Sequence, residues 1–235
     1  MKRVIFIIVE VIFIVLIIFS LIKIYYWHKE EKNIKKELNN ITNKVIIGKG
    51  SKRKIDLKEL KKINSDTIGW LTIKNTNIDY PVLQTNNNTF YLNHSFYKNK
   101  SNTGWIFMDY NNKLDDKNII IYGHNRLDNI MFGDLKRILD KKWYSNKDNL
   151  KIKFITEQGS NTYKIFSVYK IKTENYYLKN NFDNNEYNKF IDKIKNRSII
   201  KFNINTNDIN QILTLSTCTI IDDYRLVIHA KKIEP

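Results

Sequence analysis

The chain has 235 residues, a formal net charge of +16 and 13% aromatic residues. That aromatic content supplies a packed core and excludes global disorder, and the length beyond the first apolar segment suits one domain. The charge alone would suit nucleic acid, but no zinc-ligand spacing, basic zipper or Gly-rich RNA motif accompanies it. We therefore expect an anionic surface as partner, lipid headgroups or wall polymer, and no nucleic acid.

The N-terminal segment is a nearly unbroken apolar run over residues 4–22, preceded by two basic residues. Nineteen residues in a helix span roughly 28 Å, about the hydrocarbon thickness of a bilayer. No small-residue cleavage site follows, and the run ends in an aromatic stretch at residues 25–27 that is typical of a membrane interface. We predict an uncleaved transmembrane signal-anchor at residues 1–27, with a single pass through the cell membrane and the rest of the chain extracellular.

A basic, membrane-proximal helical linker is predicted at residues 28–64. It holds twelve Lys and Arg against five Asp and Glu, and Ile34, Leu38 and Ile41 recur at helical spacing. Asp56 stands where it can cap a further short helix. Two interpretations stay open on the sequence: the segment binds anionic lipid or wall polymer, or it is a solvated spacer.

Residues 65–235 have the pattern of a β-rich domain in which Asn-rich turns separate the strands. Helical periodicity interrupts the strands at residues 130–140 and 185–196. The fold class predicted is mainly β: an eight-stranded, closed or nearly closed barrel with peripheral helices, preceded by the transmembrane helix. Strands are predicted at residues 69–74, 78–83, 104–109, 118–122, 150–156, 162–172, 211–217 and 224–231.

Cys218 is the only cysteine and directly follows a predicted apolar strand. Exported proteins usually pair their cysteines, and a lone thiol is often a small buried hydrophobe. The end of a strand, however, holds a nucleophile rigidly beside open space. Arg225 opens the next predicted strand, where a fixed cation can stabilise an oxyanion beside the thiol. An ordinary surface arginine is the competing interpretation, since the chain has 40 Lys and Arg.

Four histidines compete to be the partner of the thiol. His124 follows a buried-strand pattern and a glycine, so it occupies the same kind of strand-exit position as Cys218. His229 lies two strand periods beyond Arg225, so both side chains can share a face of the strand. His28 lies at the predicted membrane interface, and His94 lies in a segment without a predicted strand. On the residues alone, a catalytic His124 and a turn histidine bonded to backbone stay equally open. The scattered ligands predict no metal site, and no phosphate-binding loop is present.

Taken together, three motifs resemble the sortase family. They are Thr-Leu-Ser-Thr-Cys at residues 214–218, the Arg-led strand at 225–231 and Tyr-Gly-His at 122–124. The chain resembles class B sortases in particular at residues 66–70, 75–82 and 104–109 and in the predicted helix at 185–196. The resemblance covers residues 65–233 and implies a sortase-type β-barrel fold. It also implies that the protein is a membrane-anchored cysteine transpeptidase on the outer face of a Gram-positive cell. The calcium cluster of class A members has no counterpart, so no metal or other cofactor is expected.

The resemblance implies a catalytic role for each of three residues. Cys218 would attack the carbonyl of a Thr in the sorting-signal peptide of a surface protein and form a thioacyl-enzyme. His124 would protonate the departing amine and later activate the acceptor, an amine of a peptidoglycan precursor. Arg225 and a backbone N–H would hold the oxyanion. With ordinary pKa values near 8.5 and 6.5, the thiolate–imidazolium pair is populated about 1% of the time.

The family's substrate groove maps by position onto seven further residues: Asn88, Leu92, Tyr122, Thr173, Tyr177, Leu178 and Ser216. Core packing competes as the interpretation of Tyr177 and Leu178, and hydroxyls bonded to backbone compete for Thr173 and Ser216. Two functional alternatives stay beside the transpeptidase. One is a cysteine hydrolase that uses the same thioester, and the other is a non-enzymatic, basic wall-binding module with an inert, buried thiol.

Overall fold

A computed structural model describes residues 2–48, 53–172, 174–218 and 224–233, without the side chains of Asn184 and Cys218. In these ranges a two-stranded antiparallel pair, β1 (Ile46–Ile47) with β2 (Lys54–Ile55), precedes eight strands that close into a barrel. The predicted eight-stranded barrel is therefore confirmed. Its strands are β3 (Thr67–Ile73), β4 (Asp79–Leu83), β5 (Phe107–Met108), β6 (Asn118–His124), β7 (Lys151–Thr156), β8 (Gly159–Lys172), β9 (Ile212–Cys218) and β10 (Tyr224–Ile233).

Helices lie outside the barrel. They are α1 (Lys2–Val45), α2 (Leu57–Ile63), α3 (Lys141–Tyr144) and α4 (Asn184–Asn196), with short 3-10 helices at Phe90–Leu92, Gly133–Leu139 and Tyr176–Leu178. As predicted, the Asp56 side chain caps α2 by accepting a hydrogen bond from the Glu59 backbone N–H at 2.9 Å. A reciprocal pair of bonds between Asp183 and Glu186 starts α4 in the same manner. Local capping thus fixes where both helices begin.

Strand order places β6, β9 and β10 side by side, and these strands carry the three predicted catalytic residues. Around the barrel the order is β10-β8-β7-β3-β4-β5-β6-β9, and closure brings β9 back against β10. Strands β6 and β9 run parallel, whereas β9 and β10 are antiparallel. The C-terminal ends of β6 and β9 and the start of β10 therefore meet at one edge of the barrel.

Two hydrophobic cores support that edge. The larger core fills the barrel and includes Trp70, Phe154 and Leu215. The second core lies between α4 and the β8–β10 region, where α4 contributes Phe190 and β10 contributes Val227. The 3-10 helix Tyr176–Leu178 also packs here, so this segment is tied to the barrel through a second, separate interior.

The C-terminal half of α1 belongs to the folded unit. Ile34, Ile41 and Val45 are buried and join the barrel core cluster. The preceding apolar run is exposed and is long and apolar enough to cross a membrane. One continuous helix therefore connects the candidate membrane span to the packed domain.

Two of the predicted strands and helices differ most from the structure. The strand predicted at 104–109 is limited to Phe107–Met108, because Gly104 has a φ of +60° and a Cβ there would lie 2.5 Å from the Tyr91 carbonyl oxygen. The helix predicted at 130–140 is a 3-10 helix that begins only at Gly133. Asn129 and Met131 before it adopt left-handed φ values of 62° and 51°, which end any regular helix.

Candidate active site

Strand register brings the three predicted catalytic positions together. His124 and Cys218 are direct partners at the ends of parallel β6 and β9. In antiparallel β9 and β10, Val227 pairs with Ser216, and the same register continued for two residues sets Arg225 across from Cys218. Neighbouring strands lie about 4.8 Å apart. The cysteine backbone position is therefore flanked by the histidine on one side and the arginine on the other.

His124 is held by main-chain groups and is only 7% exposed. Its Nε2 lies 2.7 Å from the Leu92 carbonyl oxygen, so we assign the N–H to Nε2. Nδ1 then carries the lone pair, and it is buried without a hydrogen-bond partner among the described groups. Burial lowers the pKa of His124; the Leu92 carbonyl opposes this shift and the charge of Arg126 adds to it. The imidazole is thus neutral at rest, with Nδ1 able to take a proton.

A neighbouring glycine allows this placement. A Cβ on Gly123 would lie 2.8 Å from the ring of Phe132. The Phe132 backbone N–H in turn donates to the His124 carbonyl oxygen at 3.1 Å. The Gly-His pair noted in the sequence therefore has a packing reason, since a larger residue before the histidine would displace the segment that follows it.

Arg225 contacts the predicted groove residue Tyr177 directly and is linked through it to a second one, Ser216. Its Nη1 donates to the Tyr177 hydroxyl at 3.2 Å, and that hydroxyl lies 3.0 Å from Ser216 Oγ. Tyr177 and Ser216 are fully buried, and the Asn118 side chain donates to the Tyr177 carbonyl at 3.0 Å. The predicted residues Arg225, Tyr177 and Ser216 are thus brought together on the side of Cys218 away from His124.

His229 is a core residue and lies away from this edge. Thr214 Oγ1 donates to Asn118 Oδ1 at 2.6 Å, so its lone pair accepts from His229 Nδ1 at 2.8 Å. On the other side of the ring, Nε2 accepts from the Tyr169 hydroxyl at 2.8 Å. Complete burial lowers the pKa of His229 to about 3. This buried, neutral histidine is structural, which removes it from the competition for a thiol partner.

Asn88 and Tyr122 meet at a carboxylate that the sequence analysis did not select. Both donate to Asp109 Oδ2, Asn88 through Nδ2 at 2.8 Å and Tyr122 through its hydroxyl at 2.9 Å. Asp109 directly follows β5 and is almost buried. The available signal was an acidic residue at a strand end before an Asn-rich turn. Asp109 fixes two predicted groove residues that are 34 positions apart in the chain.

The remaining groove predictions have separate locations. Leu92 offers its backbone carbonyl to His124, while its side chain packs against the barrel core. Leu178 is half-buried between the two cores. Thr173 lies outside the described residues. Across the described ranges, no group of three or more His, Cys, Asp or Glu is arranged to hold a metal ion.

Comparison with known proteins identifies the family. Residues 71–233 match the family described as Sortase domain. This chain belongs to the sortase family. It is 40% identical over 184 residues to Sortase B of Listeria monocytogenes, covering 75% of this chain and 73% of the relative. It is 34% identical over 238 residues to Sortase B of Staphylococcus aureus, covering 97% and 96%.

A solved structure extends the likeness to the fold. Sortase B of Bacillus anthracis superposes with a TM-score of 0.76 at 32% identity, covering 90% of this chain and all of that one. The class B assignment is therefore confirmed, and this sortase is an enzyme of the transpeptidase family that anchors surface proteins to the cell wall. The alternative of a non-enzymatic wall-binding module is wrong.

Proposed function

We propose that this sortase is a single-pass membrane enzyme that cleaves a sorting signal after Thr and transfers the surface protein to a peptidoglycan-precursor amine. The observation that carries the proposal is the register of three strands, which flanks Cys218 with His124 and Arg225. Nucleophile, proton carrier and cation are the groups that acyl transfer through a thioester requires.

In the first half-reaction, neutral His124 takes the thiol proton of Cys218 at Nδ1, and the resulting thiolate attacks the Thr carbonyl carbon and forms a C–S bond. Arg225 stabilises the negative charge that develops on the carbonyl oxygen. As the oxyanion collapses, the C–N bond breaks and imidazolium His124 donates its proton to the departing amine. The products are a thioacyl-enzyme, a free peptide amine and a neutral imidazole.

In the second half-reaction, the amine of the acceptor attacks the thioester carbonyl. Neutral His124 accepts the amine proton at Nδ1, because Nε2 is engaged with the Leu92 carbonyl. The C–S bond then breaks, a new amide is released, and the thiolate returns beside an imidazolium. Burial of His124 disfavours that charged form, so the charge of Arg225 is needed to favour the thiolate.

The anchor is the second part of the proposal. Helix α1 contains the one described segment that is long and apolar enough to span a membrane. We place residues 1–27 in and at the membrane, 28–64 as the membrane-proximal segment and 65–235 as the catalytic domain outside the cell. The two basic residues at positions 2 and 3 favour an N terminus inside.

Product analysis tests this function. The full chain in detergent is mixed with a library of sorting-signal peptides, with and without triglycine, the ligand with which a related sortase B was crystallised. Mass spectrometry should show a peptide cut after Thr and, with acceptor, joined to triglycine; the Cys218→Ala variant should form neither product. Only hydrolysed peptide at saturating acceptor would support the hydrolase, and equal products from the variant would contradict the proposal.

A further inference from the structure

Helix α1 meets the domain beside the catalytic histidine. The Arg126 guanidinium, two residues after His124, lies over the Trp27 ring at 5.7 Å from its centroid. One turn further along the helix, Glu30 Oε1 accepts from Ser101 Oγ at 2.9 Å and from the Thr103 backbone N–H at 3.1 Å. These contacts fix the membrane-side end of the docked helix against the edge of the barrel that carries the active site.

Height above the membrane follows from the helix geometry. The apolar run ends at residue 22, and Trp27 lies five residues further along an unbroken helix. Five residues rise roughly 7.5 Å along the axis. The headgroup zone on each side of a bilayer is about 5–7 Å thick, and aromatic residues such as Trp concentrate there. Residues that touch Trp27 therefore lie at or just above the lipid headgroups.

The segment after His124 forms an ordered loop at the height of Trp27 above the membrane. We call residues 125–131 the interfacial loop. Its ends pair through a bridge between Asn125 and Met131, and an ion pair of 2.7 Å joins Arg126 to Asp128, whose side chains are 9% and 3% exposed. A Cβ on the following Gly133 would lie 2.1 Å from the Arg126 carbonyl oxygen, so this close return needs glycine.

Leu127 occupies the tip of that loop. It is 80% exposed, the highest value among the exposed large hydrophobic residues of the described ranges. Its two neighbours are fixed by the ion pair, so the leucine is presented outward by an ordered support. An apolar side chain held at headgroup height gains free energy by leaving water for the headgroup region.

We propose that the interfacial loop contacts the lipid bilayer, with Leu127 inserted among the lipid headgroups. The contact rests on the proposed membrane anchoring and fixes the orientation of the domain relative to the membrane. The active-site edge then faces the membrane surface, so a peptide still attached to the bilayer reaches Cys218 without leaving that surface. Helix α1 sets the height of the site, and the loop supplies a second point of attachment.

Site-directed spin labelling tests the contact. In a Cys218→Ser background, Leu127→Cys is labelled with a nitroxide in the full chain, reconstituted in vesicles of phosphatidylcholine and phosphatidylglycerol. The matched control is Ile199→Cys, which replaces another exposed apolar residue, at 62% exposure. Relative accessibility to oxygen and to a water-soluble nickel complex should place the 127 label in the membrane boundary and the 199 label in water. Equal, aqueous accessibility of both labels would overturn the proposal.

A kinetic comparison separates this contact from catalysis itself. Leu127→Asp should lower cleavage of a vesicle-anchored peptide about tenfold and leave cleavage of a soluble peptide unchanged; Ile199→Asp should change neither rate. Equal losses on both peptides would contradict the membrane contact. A wild-type chain that cleaves neither peptide would contradict the proposed function, while the label positions would still decide whether the loop touches lipid.

Discussion

The two residues beside Cys218 are supported by different parts of the molecule. His124 is bonded to the Leu92 carbonyl. The segment that begins at Leu92 is held from outside the barrel by α1, because Ser101 donates a hydrogen bond to Glu30. Arg225 is bonded to the hydroxyl of Tyr177, whose side chain lies in the second hydrophobic core. One flank thus depends on main-chain groups and helix α1, and the other depends on buried side chains.

This difference determines how each flank responds to change. A backbone carbonyl is present whatever side chain its residue carries, so single substitutions around Leu92 leave the bond to His124 available. Buried hydroxyls offer no such redundancy, because removing one leaves its partner unsatisfied in a dry interior. We expect the Arg225 flank to couple activity to stability and to pH, and the His124 flank to couple activity to membrane geometry.

The largest expected effect is loss of the proton carrier. His124→Ala should lower transpeptidation by about 10²–10⁴-fold, as for removal of a general acid–base group. The matched control is His94→Ala, which removes a histidine stacked on Phe90 at 4.0 Å between ring centroids. Steady-state turnover with peptide and acceptor measures both variants. Equal losses in the two would show that His124 has no special role.

Loss of the cation should come next. Arg225→Ala should reduce turnover by on the order of 10²-fold, because one oxyanion-stabilising group is lost, and the thermal midpoint should change little. Arg225→Lys keeps the charge without the planar fork of donors and should recover part of the rate. Unchanged turnover in the Ala variant would remove Arg225 from the mechanism.

Acid should destabilise the Arg225 flank through His229. The pKa of His229 is about 3 in the folded protein and about 6.5 in the unfolded chain. Between these values the unfolded chain binds a proton at His229 that the folded protein does not bind. The contribution of neutral His229 is complete above pH 6.5 and is lost as the pH falls towards 3. Stability should decrease by about 1.4 kcal/mol per pH unit, or about 2 kcal/mol at pH 5.

Urea unfolding of the full chain in detergent at pH 7.5 and pH 5.0 measures that slope. The lowered pKa of His124 acts in the same direction, so NMR titration of the His229 ring identifies the group responsible. A His229 midpoint near 6.5 in the folded protein would contradict the assignment.

The smallest expected effect separates positioning from packing. Tyr177→Phe removes the hydroxyl that contacts Arg225 and Ser216, and should cost about 1 kcal/mol of stability together with part of the turnover. Tyr187→Phe removes a comparable hydroxyl, bonded to the Lys117 carbonyl at 3.0 Å, and should lower stability alone. If both variants lose turnover equally, Tyr177 acts only through the core.

Local patterns in the sequence predicted much of this molecule. Apolar strands that end at His124 and Cys218 predicted two strand-exit residues, and the register makes them direct partners. Helix capping by Asp56 followed from residue type and spacing alone. Such features depend on neighbours in the chain, and they survive folding because nothing in the tertiary structure opposes them.

Other features depend on contacts between distant segments. The strand expected at 104–109 is shortened because Gly104 packs against the Tyr91 backbone. His229 matches the strand pattern of an active-site residue, but Tyr169 and Thr214 bury it in a core that only the closed barrel creates. Docking of Glu30 to Thr103 joins residues 73 positions apart, so no local pattern indicates it.

We propose that the strand ends at His124, Cys218 and Arg225 form one site that carries an acyl group on Cys218. Intact-protein mass spectrometry tests it most directly, with the full chain mixed with sorting-signal peptides in the absence of any amine acceptor. We expect a hydroxylamine-labile acyl adduct that maps to Cys218 and is absent from Cys218→Ala. Peptide cleavage at the wild-type rate by that variant, without any adduct, would contradict it.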